Sequence, residues 1–129
     1  MEPQSVFNFF GEICKIPRES KHEEKIIAYL QKFAQERSLE CKTDEAGNVL
    51  IIRPASEGYE TAPTVILQSH SDMVCEKNSD SNHNFDTDPI NYVIEDGWMI
   101  AKETTLGADC GIGIAAQLAI LDDKILKLP

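Results

Sequence analysis

Residues 64–77, T-V-I-L-Q-S-H-S-D-M-V-C-E-K, place His70 and Asp72 directly after an apolar run of Val65, Ile66 and Leu67. Side chains two residues apart in extended chain leave on the same side. A carboxylate so placed can hold one imidazole nitrogen and leave the other free to bind a metal. The plainer reading is a strand-end histidine bonded to a loop aspartate, and an isolated H-x-D does not separate the two. A second carboxylate, Asp109, stands in T-T-L-G-A-D-C-G-I-G-I-A-A (104–116), where a loop gives way to an apolar helix. There it is either the helix N-cap or a metal ligand. Imidazole and carboxylate donors with a position left open for water make a catalytic zinc site, and a carboxylate's two oxygens also suit it to bridge two ions. His70 and Asp109 are therefore the candidate metal ligands, with Asp72 as the carboxylate serving the catalytic group. Two ligands do not complete a site, so the others must come from elsewhere.

The elements that would carry these residues follow from periodicity and turn chemistry. Val6, Phe7, Phe10, Ile13 and Cys14 recur at helical spacing, and Pro17 ends that helix. Ser20 with Glu23 forms a capping box for a second helix with an apolar stripe of Ile26, Ile27, Leu30, Phe33 and Ala34. His22 in its first turn is expected to be exposed. Positions 39–45 and Val49–Ile52 read as paired strands around a turn at 45–48. A loop at 55–63 leads to Val65–Leu67, which reads as a buried strand whose carboxyl end carries His70, the place where open α/β sheets bind ligands. The polar stretch 76–91 imitates a calcium loop at Asp80, Asn82 and Asn84, but Phe85 and Asn91 stand where that loop needs glycine and glutamate. His83 within it reads as a surface loop residue. Tyr92–Glu95 and Trp98–Ala101 make a hairpin around Asp96–Gly97.

Glycines 107, 111 and 113 precede a helix with Ile112, Ala115, Ala116 and Ala119, small enough to lie close on a sheet. The spacing is G-x-x-x-G-x-G, which is not the dinucleotide fingerprint. Lys124–Leu128 begins another apolar segment without partners here, and the expectation is that the 129 residues belong to a longer chain.

Composition narrows the classes. The chain is 42% hydrophobic and 7% aromatic, ordinary for a globular domain. Its net charge of −10 and lack of any basic cluster oppose nucleic-acid or anionic-membrane partners. No apolar run approaches a membrane span of about 20 residues. The start M-E-P-Q-S carries no basic region or apolar signal core. Cys14, Cys41, Cys75 and Cys110 form no C-x-x-C pair, which fits reduced thiols in the cytoplasm.

L-Q-S-H-S-D-M-V-C-E-K followed by T-T-L-G-A-D-C-G-I-G-I-A closely resembles the dizinc metallopeptidases of the M20 clan, and among them the aminoacyl-histidine dipeptidases. The likeness extends through I-P-R-E-S-K-H-E-E, D-E-A-G-N-V at 44–49 and N-S-D-S-N-H-N-F-D-T-D-P-I. M-V-C-E-K-N is its most discriminating piece, since most of the clan has proline where Cys75 stands. The resemblance implies hydrolysis of dipeptides of aminoacyl-histidine type, with broad specificity, through a metal-bridging water. It implies two divalent ions, zinc foremost, with His70 on one, Asp109 bridging both and Asp72 orienting His70. The remaining ligands, the general-base glutamate and an inserted lid domain that makes a homodimer would all lie beyond residue 129.

Residues 1–129 would then be the amino-terminal portion of an α/β catalytic domain, a mixed sheet flanked by helices. With the closing strands missing, an apolar face would be exposed and self-association is expected. Two positions depart from the pattern: Ser69 where glycine is usual, and Cys110 where asparagine is common. A different chemistry would use Cys110 as a thiol nucleophile at a helix amino terminus, against which stands its reading as a packing residue. A stand-alone binding module is the non-enzymatic alternative.

Overall fold

The computed structural model describes residues 1–129 and contains three helices and four strands. Helix α1 spans Gln4–Ile13, and α2 spans Glu24–Glu36. Strands β1 (Glu40–Thr43) and β2 (Val49–Ile52) pair antiparallel, as do β3 (Tyr92–Glu95) and β4 (Trp98–Ala101). Helix α3 (Ala108–Asp122) closes the series. The class is α/β as expected, and the strands are laid out as two separate antiparallel hairpins.

Both hairpins rest on their turns. Asp44 accepts bonds from the amides of Ala46 and Asn48 and from the Asn48 side chain, closing the β1–β2 turn. Asp96 and Gly97 both have positive φ, 50° and 81°, the pair of left-handed residues that matches hairpin twist.

The core lies among the helices. Phe10, Ile13 and Cys14 from α1 and its end pack with Ile26, Leu30 and Phe33 of α2 and with Ile114, Ala115 and Leu118 of α3. Met73 and Ile90 enter from the loops. The stripes read from helical spacing are thus the faces that are buried.

Three local expectations are corrected. Val65, Ile66 and Leu67 form no strand, and they are 63%, 82% and 49% exposed rather than buried. A strand exists through its neighbours' hydrogen bonds, and neither hairpin reaches this segment. Ser20 does not cap α2, which begins at Glu24 without a side-chain cap; its hydroxyl is drawn instead to the Asp72 carboxylate, a stronger, charge-assisted bond. The small-residue face of α3 abuts helix α1 and not a sheet. A Cβ on Gly111 would come 2.9 Å from Phe10 Cε2.

The chain's last residues fold back. The amide of Ser56 donates to the Leu128 carbonyl at 2.8 Å, and the Leu128 amide donates to Ser56 Oγ at 2.9 Å. Arg53 donates to the carbonyls of Ile120 and Leu126, holding the end of α3 against this loop. No helix is long and apolar enough to cross a membrane.

Candidate metal centre

The segment after α1, I-P-R-E-S (16–20), builds the site from beneath. Arg18 is only 2% exposed. It donates through Nη1 to the carbonyls of Ser71 (3.3 Å) and Asp72 (3.0 Å) and through Nη2 to the carbonyl of Gly107. A buried guanidinium needs such acceptors to offset its desolvation, and these lie on the two loops that carry the candidate ligands. The Met73 amide returns a bond to the Arg18 carbonyl at 2.9 Å, in a parallel bridge between Glu19 and Met73. Burial pulls the Arg18 pKa down, while Cys14, Cys75, Asp72 and Cys110 around it act in the opposite sense.

On this base His70, Asp72 and Asp109 come together. His70 Nδ1 lies 3.0 Å from Asp72 Oδ1, and its Nε2 lies 3.1 Å from Asp109 Oδ1. The second oxygen of Asp72 accepts from the Ser20 hydroxyl. Hydrogen bonds accepted first by Asp109, and then by Asp72, raise the His70 pKa above its ordinary 6.5. The Ser20 hydroxyl first, and then His70, hold the Asp72 carboxyl below its ordinary 3.8. The loop aspartate of the plainer reading is therefore itself held in place.

Asp109 is not a helix cap. Its φ and ψ of −91° and 110° are not helical, nor are those of Cys110, so the regular part of α3 starts behind them. No side chain caps the helix, and the carboxylate faces His70 while remaining 98% exposed. Both nitrogens of His70 are engaged by carboxylates. The imidazole–thiol pair that a Cys110 nucleophile would need is not formed.

The donor set fits a divalent ion. His70, Asp109 and Cys110 each offer one donor atom, and these all lie within 4.8 Å of one another. With Nδ1 on Asp72, Nε2 is the nitrogen that could take an ion, and the exposure of Asp109 would give that ion access. A cleft of about 640 Å³ runs from His70 and Asp72 along Val65–Leu67 toward β2 and α3.

The other histidines lie apart. His22 is 62% exposed and sits 3.5 Å from Glu19 and 3.7 Å from Asp86, beside two surface carboxylates. His83 stacks edge-on against Phe85 with ring centroids 4.5 Å apart and is more enclosed than a surface loop residue.

Sequence reasoning missed Arg18 and misassigned Ser20. No local pattern marks an arginine whose acceptors are main-chain carbonyls 53 to 89 residues away. The paired glycines at 107 and 111 were a signal, since both make room for it. A Cβ at either would lie 2.5 or 2.7 Å from Arg18 Nη2.

No protein-family model matches the chain. It is 44% identical over 124 residues to the cytosol non-specific dipeptidase of Escherichia coli, covering 96% of this chain and 26% of that protein. The uncharacterized protein YqjE of Bacillus subtilis is 28% identical over 127 residues, with 92% and 30% covered. Among solved structures, the aminoacylhistidine dipeptidase of Vibrio alginolyticus superposes with a TM-score of 0.95 at 46% identity, over 98% of this chain and 26% of that one. A tripeptidase from Staphylococcus aureus gives 0.72 at 26% identity, over 92% and 31%. The chain spans about a quarter to a third of the length of the proteins it matches. Over its own length it is similar in sequence to the cytosol non-specific dipeptidase and in fold to the aminoacylhistidine dipeptidase.

Proposed function

We propose that this chain carries part of the metal centre of a cytoplasmic zinc dipeptidase of the M20 type, acting on aminoacyl-histidine and other dipeptides. The observation that supports it is the convergence of His70 Nε2 on Asp109, with Asp72 behind the ring, in a chain 44% identical to a dipeptidase. His70 and Asp109 would hold the metal, Asp109 sharing it with a second ion. When bound, such ions polarise a carbonyl and lower the pKa of water.

The chain's own residues prepare that chemistry. Asp72 accepts the Nδ1 proton of His70, which fixes the tautomer and the ring plane and raises the basicity of Nε2. Ser20 fixes Asp72 from its far oxygen. Arg18 holds the backbone beneath both ligands, so the His70 loop and Asp109 keep one spacing.

Two ligands and an orienting carboxylate leave coordination incomplete. The 129 residues by themselves are accordingly proposed to be inactive, the general base, further ligands and dimer contacts belonging to other parts of the protein. The imidazole and carboxylate donors suit several divalent ions, of which zinc is the one proposed.

A graft tests this reading. The matching segment of the Escherichia coli dipeptidase is replaced by this chain, and cleavage of an aminoacyl-histidine dipeptide is followed. The graft is expected to be active, to lose activity with a chelator and to regain it with zinc, whereas the His70→Ala graft stays inactive. A folded graft that resists chelation, or that works without His70, overturns the proposal.

A further inference from the structure

We propose that Cys110 is a third protein ligand of the metal held by His70 and Asp109, giving one ion a nitrogen, an oxygen and a sulfur donor. This rests on the metal-centre reading above and adds to it a residue that the paired H-x-D and Asp109 do not require.

The geometry carries it. Cys110 Sγ, the Asp109 carboxylate and a His70 ring nitrogen lie mutually within 4.8 Å. Two donors on one tetrahedral ion with bonds of 2.0–2.3 Å stand roughly 3.5 Å apart, so small side-chain rotations bring all three onto a single centre. The sulfur has a built seat. A Cβ on Gly113 would fall 2.5 Å from Sγ and 3.3 Å from Ser69 Cβ, so glycine at 113 leaves the space between α3 and the His70 loop that the thiol occupies. Ser69 is next to His70 in sequence, which puts this seat at the edge of the ligand cluster.

The chemistry follows from the sulfur. Coordination exchanges the S–H bond for an S–metal bond, and the proton leaves to solvent, with no change of oxidation state. A thiolate among the donors favours borderline and soft ions such as zinc, cobalt and cadmium over manganese or magnesium, which a purely oxygen and nitrogen site accommodates. Three protein ligands still leave a fourth position open.

Cobalt(II) titration of the 129-residue chain tests the assignment by absorption. The unmodified chain is expected to develop a sulfur-to-cobalt charge-transfer band in the near ultraviolet. Cys110→Ser is expected to lose the band and to bind cobalt at least about tenfold more weakly, the scale on which even outer partners of a ligand act. A second measurement needs no variant: iodoacetamide labelling of Cys110, mapped by mass spectrometry, should slow several-fold with cobalt while labelling of Cys41 does not change.

Cobalt that binds with no such band, or a band that survives Cys110→Ser, overturns the inference and leaves the His70–Asp109 reading standing. A chain that binds no cobalt, with Cys110 labelled equally fast in either case, overturns both.

Discussion

Arg18 Nη2 donates to the carbonyl of Gly107, 89 residues along the chain, and a Cβ on residue 107 would lie 2.5 Å from that same nitrogen. The absence of a side chain at 107 is what lets the guanidinium reach the main chain there. Gly107 also has a φ of 72°, in the region that glycine tolerates best. Gly107→Ala is therefore expected to destabilise the chain by about 1–3 kcal/mol, the range for overpacking a filled interior. Arg18→Met removes the donors from three carbonyls and should cost about 3 kcal/mol or more. Urea denaturation checks both, and because the two residues touch, their effects should not add.

Ser20→Ala isolates the hold on Asp72. The hydroxyl is the largest cause of the lowered Asp72 pKa, so the variant should return that carboxyl toward 3.8, as read by NMR titration. A carboxyl depressed in the folded state stabilises it above its unfolded pKa and loses that contribution as pH falls through the folded value. The unmodified chain should thus be more stable than Ser20→Ala above about pH 4, and that advantage should shrink as pH falls below it. Zinc affinity should fall by about 10-fold, the usual effect of loosening the partner of a ligating histidine.

Local signals made much of this fold legible. The β3–β4 hairpin was readable because Asp96–Gly97 supplies its turn chemistry, and the helix stripes because burial follows a 3.6-residue period. The proximity of His70 and Asp72 was readable from their spacing, whereas Asp109, 39 residues from His70, was joined to them only by the resemblance. Partners distant in sequence were not readable. Val65–Leu67 has the composition of a strand, but a ladder depends on neighbours that local sequence does not reveal. Ser20 had two partners open to it, an amide donor three residues on and a carboxylate acceptor 52 residues away, and only the folded chain brings the second within reach.

Cys14 gives the chain an alkaline limit. Burial pushes its thiol from 9.0 up to about 11, with Arg18 pulling the other way. An acid whose pKa is raised by folding contributes stability that is complete below the unfolded value and lost as pH rises through the folded one. Stability should decline between about pH 9 and 11, and Cys14→Ala should flatten that part of the curve. Thermal unfolding across this pH range measures it.

Ile66 is 82% exposed between Val65 and Leu67, which are also exposed. Such a run of exposed apolar side chains outside any strand favours association between copies. Sedimentation is expected to show concentration-dependent self-association of the 129-residue chain, reduced by Ile66→Lys. No change in association on that substitution would place the contact elsewhere.

The most direct test of the metal centre is zinc binding by calorimetry to the unmodified chain and to His70→Ala and Asp109→Asn. Affinity is expected to fall at least about tenfold in each variant, because each removes a ligand from an already incomplete set. Equal zinc affinity in all three chains would contradict it.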